Sequence, residues 1–252
     1  MDKNQENTFK NLFGLLGRNI SYSFSRGYFS EKFEKEGIQD SFYTNFDIPS
    51  IDKFPEIIQQ NKNLKGMNVT IPYKEDVIPY LDELDETAKM IGAVNTIQFK
   101  NNKLIGHNTD YYGFLKSLEP FLKPQHSKAL VLGTGGAAKA VLYVMKLLGI
   151  NAKLVSRNPK LKQYSYTDLN KEIIQNNKLI INTTPLGTHP NITDKPSISY
   201  QHITSEHLLF DLIYNPAETA FLLEGKKRGA TIANGASMLQ LQAEKAWTIW
   251  NS

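Results

Sequence analysis

The stretch Ala129-Leu130-Val131-Leu132-Gly133-Thr134-Gly135-Gly136-Ala137-Ala138 decides the fold of the second half of this chain. Four apolar residues in a row read as a buried strand, and the glycines that follow end it in a tight turn. Residues 137–148 then form a helix closed by Gly149. Gly133-x-Gly135-x-x-Ala138 therefore fits the G-x-G-x-x-G/A fingerprint in the one context where the fingerprint has meaning, between a strand and a helix. Glycine at 133 and 135 permits the turn and lets backbone amides approach a pyrophosphate, whose charge the helix N-terminus stabilises. A close-packed β-α turn without a ligand is the other reading.

Downstream, residues 152–156 are the next strand, and it ends in Ser156-Arg157-Asn158. An NAD site keeps an acidic side chain there to hold the ribose hydroxyls. Arginine cannot accept from a hydroxyl, but its planar fork holds a phosphate, so NADP is indicated over NAD. A plain surface arginine after a strand is the alternative. Residues 179–182 and 208–211 supply two more strands, 217–228 a helix, 231–233 a last short strand and 238–250 an apolar-faced helix. Pro120 and Pro124, with Gln125-His126-Ser127, mark where this unit begins; residues 111–122 form a helix that links it to what precedes.

Upstream, residues 11–16 read as a strand, 28–35 as a helix closed by Gly37, 41–46 as a strand, 51–61 as helical and 65–71 as extended. That β-α-β-α-β order favours a mostly parallel sheet. Residues 94–99 and 104–107 flank Asn101-Asn102, a hairpin turn. Within this half lies Gly66-Met67-Asn68-Val69-Thr70-Ile71-Pro72-Tyr73-Lys74. Val69 and Ile71 alternate with Asn68 and Thr70, so one face enters a core while the amide and the hydroxyl point together into a cleft. Pro72 stops the ladder, and Lys74 just beyond it can offer a proton to an oxygen of whatever Asn68 and Thr70 hold. A solvated lysine after an edge strand is the plain reading. Ser23 and Ser25 precede a helix and can cap it, and a lone Asp110 at a helix start reads as an N-cap.

Composition bounds the rest. The 252 residues, 40% hydrophobic, are enough for two modest cores. Zero cysteines exclude disulfides, thiolate metal sites and a cysteine nucleophile, and fit a reducing cytoplasm. The polar start lacks the apolar core of a signal peptide, and no apolar run approaches the roughly 20 residues that span a bilayer. A soluble, intracellular chain is expected, with no membrane partner. The net charge of +4 is spread over scattered lysines. The one tight cluster, Lys226-Lys227-Arg228, stands at a helix end where it complements the dipole. Nucleic acid is not expected as a partner, and a slight positive field suits anionic small molecules. The five histidines show no metal-binding spacing and no carboxylates form a cage, so no metal is expected.

Asn68 to Lys74 carry N-V-T-x-P-x-K, Gly92-Ala93-Val94-Asn95-Thr96 is G-A-V-N-T, and Asn108-Thr109-Asp110 is N-T-D. With the glycine turn at 133–137, and in this order between Gly17 and Trp250, these motifs resemble those of the shikimate dehydrogenase family. The resemblance implies an α/β fold with an N-terminal α/β substrate domain, a Rossmann-type dinucleotide-binding domain and a C-terminal helix returning to the first domain. Residues 1–110, completed by 234–252, would form the substrate domain, and 111–233 the NADP-binding one. It implies NADPH-dependent, reversible reduction of 3-dehydroshikimate to shikimate, a step of chorismate and aromatic amino acid biosynthesis, by a cytoplasmic monomer or homodimer. Closure of the two domains would exclude water.

By the same resemblance Lys74 and Asp110 are the catalytic pair, with the carboxylate orienting the ammonium. Ser23 and Ser25 would bind the substrate carboxylate, and Asn68, Thr70, Asn95, Tyr214 and Gln242 the rest of the substrate. Gly133, Gly135, Gly136, Ala137, Ser156, Arg157, Thr183, Gly235 and Met238 would line the cofactor. Taken alone, Met238 is a core residue, Gln242 a solvated helix face, and Asn182-Thr183-Thr184 ordinary turn formers. The chain departs from the family pattern at Tyr22 and Arg26, usually histidine and proline, at Ser156 and Asn158 around Arg157, and at His107, usually acidic. Tyr111-Tyr112 also stand where a glycine-rich segment is usual. A relative that also oxidises quinate or uses NAD is the alternative enzyme. A catalytically silent ligand sensor would be expected to lack Lys74 or Asp110, and both are present.

Overall fold

The computed structural model describes residues 9–21 and 23–252, so the departure at Tyr22 and most of the polar start lie outside the described residues. The chain divides into two compact units, one running to Thr109 and taking in Ala243–Ser252, the other Asp110–Gln242.

In the first unit, in chain order, stand β1 (Asn11–Gly17), α1 (Phe24–Lys35), β2 (Ser41–Asp47), α2 (Phe54–Gln60), β3 (Leu64–Val69), β4 (Glu83–Leu84), α3 (Glu86–Ile91), β5 (Thr96–Lys100) and β6 (Lys103–His107). The sheet order is β2-β1-β3-β5-β6-β4. Strands β2, β1 and β3 are parallel, as the helical crossovers require. The sheet is mostly parallel, as expected: β4 also runs parallel to β6, and β5 alone is antiparallel, to both β3 and β6. The β5–β6 hairpin has a local cause. Asn101 and Asn102 both take positive φ, 51° and 59°, which makes the two-residue turn that joins antiparallel neighbours.

Alternation along the strands builds two layers. Leu12, Leu16, Met67 and Val69 face a core with Phe54, Ile57 and Val77. Phe13 and Leu15 face another with Phe29, Phe33, Tyr43 and, from the chain's end, Ala243, Ala246 and Trp250. Gly66 is glycine because a Cβ there would run into the Trp250 ring, whose Nε1 donates to Ile97 O at 3.0 Å. Ile71, expected in a core, is 64% exposed. The strand stops at Val69, and Tyr73 N donates back to Thr70 O at 2.9 Å in a turn, so the alternation that would have buried Ile71 no longer applies.

The second unit holds α4 (Asp110–Leu118), β7 (Lys128–Leu132), α5 (Gly136–Leu147), β8 (Asn151–Ser156), β9 (Tyr164–Ser165), α6 (Lys171–Asn176), β10 (Leu179–Asn182), β11 (Leu208–Asp211), α7 (Ala220–Lys226), β12 (Thr231–Ala233) and the first half of α8 (Ala236–Trp250). Its sheet, β12-β11-β10-β7-β8-β9, is parallel throughout. Counted in chain order from β7 this is 3-2-1-4-5-6, the doubly wound order that opens a crevice beyond the carboxyl ends of β7 and β10. Apolar residues on both strand faces explain why the sheet is covered twice: Ala129 and Val131 pack with Phe114, Leu118 and Val141, while Leu130 and Leu132 pack with Ile174 and Phe221.

Residues 234–242 group with this second unit, where the sequence put them with the first. Met238 packs among Phe114, Val141 and Phe210. Gly113 allows it, since a Cβ there would come within 3.0 Å of Gln242 Cβ and nearer still to Met238 O. The helix expected to begin at 217 begins at Ala220, because Thr219 is its N-cap and takes the Leu222 amide at 3.3 Å. No described helix is long and apolar enough to cross a membrane.

Candidate functional site

The first unit gathers its motif residues at the carboxyl ends of β1 and β3. Gly17 closes β1, and a Cβ there would clash with Ile20 and Thr70, so glycine lets the loop after β1 and the end of β3 come together. Thr70 N donates to Leu16 O at 2.9 Å across the same edge. Asp47, from the end of β2, fastens the loop: it accepts from Asn19 N at 2.8 Å and Ile20 N at 3.0 Å. Ser23 follows as the N-cap of α1, with its Oγ accepting from Ser25 N at 3.2 Å. Ser25 lies inside the helix with its side chain buried.

Asn68 is buried on the face of β3 opposite Met67 and Val69. Its Oδ1 accepts from Tyr43 OH at 2.8 Å, and its Nδ2 lies 3.4 Å from both Asn95 O and Thr96 Oγ1. Tyr43 in turn is in hydrogen-bond contact with Ser25. Thus Ser25, Tyr43 and Asn68 form one buried polar chain across three elements. Lys74 is half-buried, and its carbonyl accepts from Val94 N at 2.7 Å, which ties the lysine turn to the G-A-V-N-T segment.

Asn95, expected as a reader of ring hydroxyls, is also a clamp. Its Oδ1 accepts from Thr109 N at 2.6 Å and Thr96 Oγ1 at 3.1 Å, and its Nδ2 donates to Thr109 Oγ1 at 3.0 Å. Asn108 Nδ2 donates to Ala93 O at 2.9 Å, so G-A-V-N-T and N-T-D are tied together up to Thr109. Gly92 has φ 69° as the left-handed C-cap of α3, which is why that motif opens on glycine. His107, at the usually acidic position, pairs through Nδ1 with Asp85 at 3.0 Å, and Asp85 itself caps α3. Burial of the Asp85 carboxyl works to raise its pKa, but the hydrogen bonds from His107 and Ala88 outweigh this and hold it below the ordinary value.

In the second unit Asp110 opens α4 from within its first turn, buried, and is not its N-cap. At the carboxyl end of β7, Gly133 has φ 109°, and a Cβ on it would meet Thr183 Oγ1 at 2.7 Å. Thr183 closes the gap from β10, with N and Oγ1 both donating to Leu132 O at 2.9 and 2.7 Å. Thr183 is therefore at the switch point, although its hydroxyl is turned to the backbone. Gly135 caps α5 without a side-chain bond, and nothing lies within 4 Å of where its Cβ would be. The first-turn amides of Gly136, Ala137 and Ala138 are thus uncapped by any Gly135 side chain, a setting that fits a pyrophosphate. Ser156 Oγ accepts from Asn158 N at 3.2 Å, making a small turn that leaves Arg157 exposed at the end of β8.

A buried polar network holds the next two loops. Asn182 Nδ2 donates to Asp211 Oδ1 at 3.0 Å, Asn182 Oδ1 accepts from Thr184 N at 3.0 Å, and Asp211 also accepts from Ile213 N at 3.0 Å and Thr219 Oγ1 at 2.6 Å. Burial pushes the Asp211 carboxyl up to about 6, against the pull of those hydrogen bonds. Tyr214 stands exposed on the loop that Asp211 anchors. A Cβ on Gly235 would lie inside the Leu212 carbonyl oxygen, and Gly235 N donates to Ile213 O at 3.0 Å, so this loop and the start of α8 touch backbone to backbone. Met238 is in the core and Gln242 is buried, with Nε2 donating to Leu239 O at 2.9 Å. Among the described residues no group of three or more histidine, aspartate or glutamate side chains is arranged to hold a metal.

Tyr43 and Asp47 are the residues that sequence reasoning missed. Ser41, Tyr43, Asn45 and Asp47 alternate along β2, so a polar stripe on one strand face was the available signal.

Comparison with known proteins identifies the family. Residues 15–97 match the model of the shikimate dehydrogenase substrate binding domain. A shikimate dehydrogenase (NADP(+)) of Clostridium botulinum is 40% identical, over 94% of this chain and 95% of its own. Among solved structures, shikimate dehydrogenase 1 from Peptoclostridium difficile is 39% identical with TM-score 0.83, covering 96% of this chain and 91% of that one. Shikimate 5-dehydrogenase from Thermus thermophilus, in complex with NADP(H) and shikimate, is 29% identical with TM-score 0.84, covering 95% and 93%. The fold is therefore a substrate domain followed by a Rossmann-type dinucleotide-binding domain, with the chain's end back in the first unit. By kinship over nearly its whole length, the chain belongs to the shikimate dehydrogenase family.

Proposed function

We propose that the chain is an NADP-dependent shikimate dehydrogenase that reduces the ketone of 3-dehydroshikimate to the alcohol of shikimate, reversibly, in chorismate and aromatic amino acid biosynthesis. The observation that carries the reading is 40% identity, over 94% of the chain, to a protein named for that activity. Cytoplasmic location and a monomeric or homodimeric state belong to the same proposal.

The residues present fit the cofactor: a positive-φ glycine, uncapped first-turn amides on α5 and an exposed arginine at the end of β8. NADPH, when bound, supplies the hydride. Arg157 holds the 2′-phosphate through its planar fork. Gly133, Gly135, Gly136 and Ala137 present backbone to the pyrophosphate, with Ser156, Thr183, Gly235 and Met238 around the remainder. Ser23 and Ser25 hold the ring carboxylate through hydroxyl donors at the start of α1, where the helix dipole favours an anion. Asn68, Thr70 and Asn95 read ring hydroxyls, and Tyr214 and Gln242 are further substrate contacts. Lys74 protonates the oxygen that becomes the alcohol, and Asp110 orients its ammonium.

The test is a side-by-side assay of the purified chain with shikimate and quinate, each with NADP and NAD. Turnover of shikimate with NADP well above the other three combinations supports the reading. Preference for quinate, or for NAD, replaces it with the broader relative. No turnover of either compound rejects it.

A further inference from the structure

Tyr43 is the bulkiest of the fully buried side chains among the described residues, at 1% exposure, and the mechanism above does not use it. Its ring stacks on Phe29 with centroids 4.6 Å apart and planes 12° from parallel, so packing fixes the ring independently of the hydroxyl. The sheet order puts β1 between β2 and β3, and the phenol reaches over β1 to meet Asn68 Oδ1 at 2.8 Å. On its other side it meets Ser25 of α1. Burial pushes its pKa up, so the hydroxyl keeps its proton.

The phenol proton goes to Asn68 Oδ1, and the phenol oxygen takes the Ser25 hydroxyl proton, since the Ser25 bond works to lower the Tyr43 pKa. Resting on the reading of the chain as a shikimate dehydrogenase, we infer that Tyr43 is a positioning residue that couples carboxylate recognition at Ser25 to hydroxyl recognition at Asn68. When the Ser25 proton turns to a ligand carboxylate, Ser25 Oγ becomes an acceptor for Tyr43 OH. Asn68 Oδ1 is then released to accept from a ring hydroxyl. Without a carboxylate the phenol proton stays on Asn68 and competes with that hydroxyl. No bond beyond hydrogen bonds is made or broken, and the donors balance in both arrangements.

Tyr43→Phe removes the oxygen and keeps the stacked ring. It is expected to raise KM for 3-dehydroshikimate about tenfold, the usual effect of one buried hydrogen bond, with kcat changed much less and KM for NADPH unmoved. The coupling itself is read from a double-mutant cycle of Ser25→Ala and Asn68→Ala on shikimate binding, measured by calorimetry. With Tyr43 present, the double variant loses less affinity than the product of the single losses. In the Tyr43→Phe background the losses multiply. An unchanged KM in Tyr43→Phe overturns the inference, as does an equal rise in KM for NADPH or a cycle whose non-additivity survives the loss of the phenol. Should Tyr43→Phe fail to fold, the cycle in the native background decides alone, and simple multiplication there overturns the coupling. Native protein that neither binds nor turns over shikimate rejects the functional reading and this inference together. Native activity with a failed cycle rejects only the inference.

Discussion

Asp211 offers a prediction whose size follows from its surroundings. The carboxyl is fully buried, with neutral hydrogen-bond partners and no cation among them, and burial lifts it from 3.8 to about 6. The folded chain therefore keeps this proton up to about pH 6, whereas the unfolded chain releases it near pH 4. Between those values the native state binds more protons than the unfolded one, so stability falls as pH rises through this window. The gap between 3.8 and about 6, at about 1.36 kcal/mol for each pH unit, gives a loss of about 3 kcal/mol. Asp211→Asn removes the ionisation while keeping an acceptor for Asn182 and Ile213, and its amide can donate to Thr219 once that hydroxyl turns. Urea unfolding of both proteins, from pH 4 to pH 7, should find them within about 1 kcal/mol of each other at the acid end. At pH 7 the variant should be the more stable by up to about 3 kcal/mol. Far-UV circular dichroism is the suitable probe, since both tryptophans, Trp247 and Trp250, are in the first unit. Other titrating groups cancel in the difference. A difference that stays constant with pH refutes the reasoning, because Asp211 would then titrate alike in both states.

Lys74→Ala should lower kcat about 100-fold to 10,000-fold with little change in KM for substrate, and near-native turnover at saturation would make Lys74 a bystander. Asp110→Asn should keep the melting temperature and lose most activity; full activity would reduce Asp110 to a first-turn carboxylate that only complements the α4 dipole. Arg157→Ala should raise KM for NADPH about 10-fold to 100-fold and leave that for NADH nearly unchanged, and a parallel rise in both would end its assignment to the 2′-phosphate. Gly235→Ala forces backbone against the Leu212 carbonyl, so a stability loss of about 1–3 kcal/mol by urea unfolding is expected, and a neutral result would show that this loop yields freely.

The sequence alone determined what depends on near neighbours. Apolar runs and glycine punctuation placed β7, β10, β11 and β12 and the helix after the glycine turn, because strand burial, turn conformation and helix termination act over a few residues. The positive φ at Gly133 and the left-handed turn at Asn101 and Asn102 follow from the same local sterics. The motif set, read in order, also pointed to the family that the comparisons found. Tertiary structure decided what depends on residues far apart in the chain. Periodicity at 69 and 71 gave no warning that the ladder would end at Val69 and leave Ile71 exposed. That Asn95 clamps Thr109, that Asp47 fastens the loop before Ser23, and that Tyr43 spans from Ser25 to Asn68 are contacts across 14 to 28 residues or across separate elements. The division of α8 between units likewise follows from Met238 finding Phe210 in one core and Trp250 lying on Gly66 in the other. A side chain's partners are set by which strands and helices pack together, and no local pattern encodes that choice.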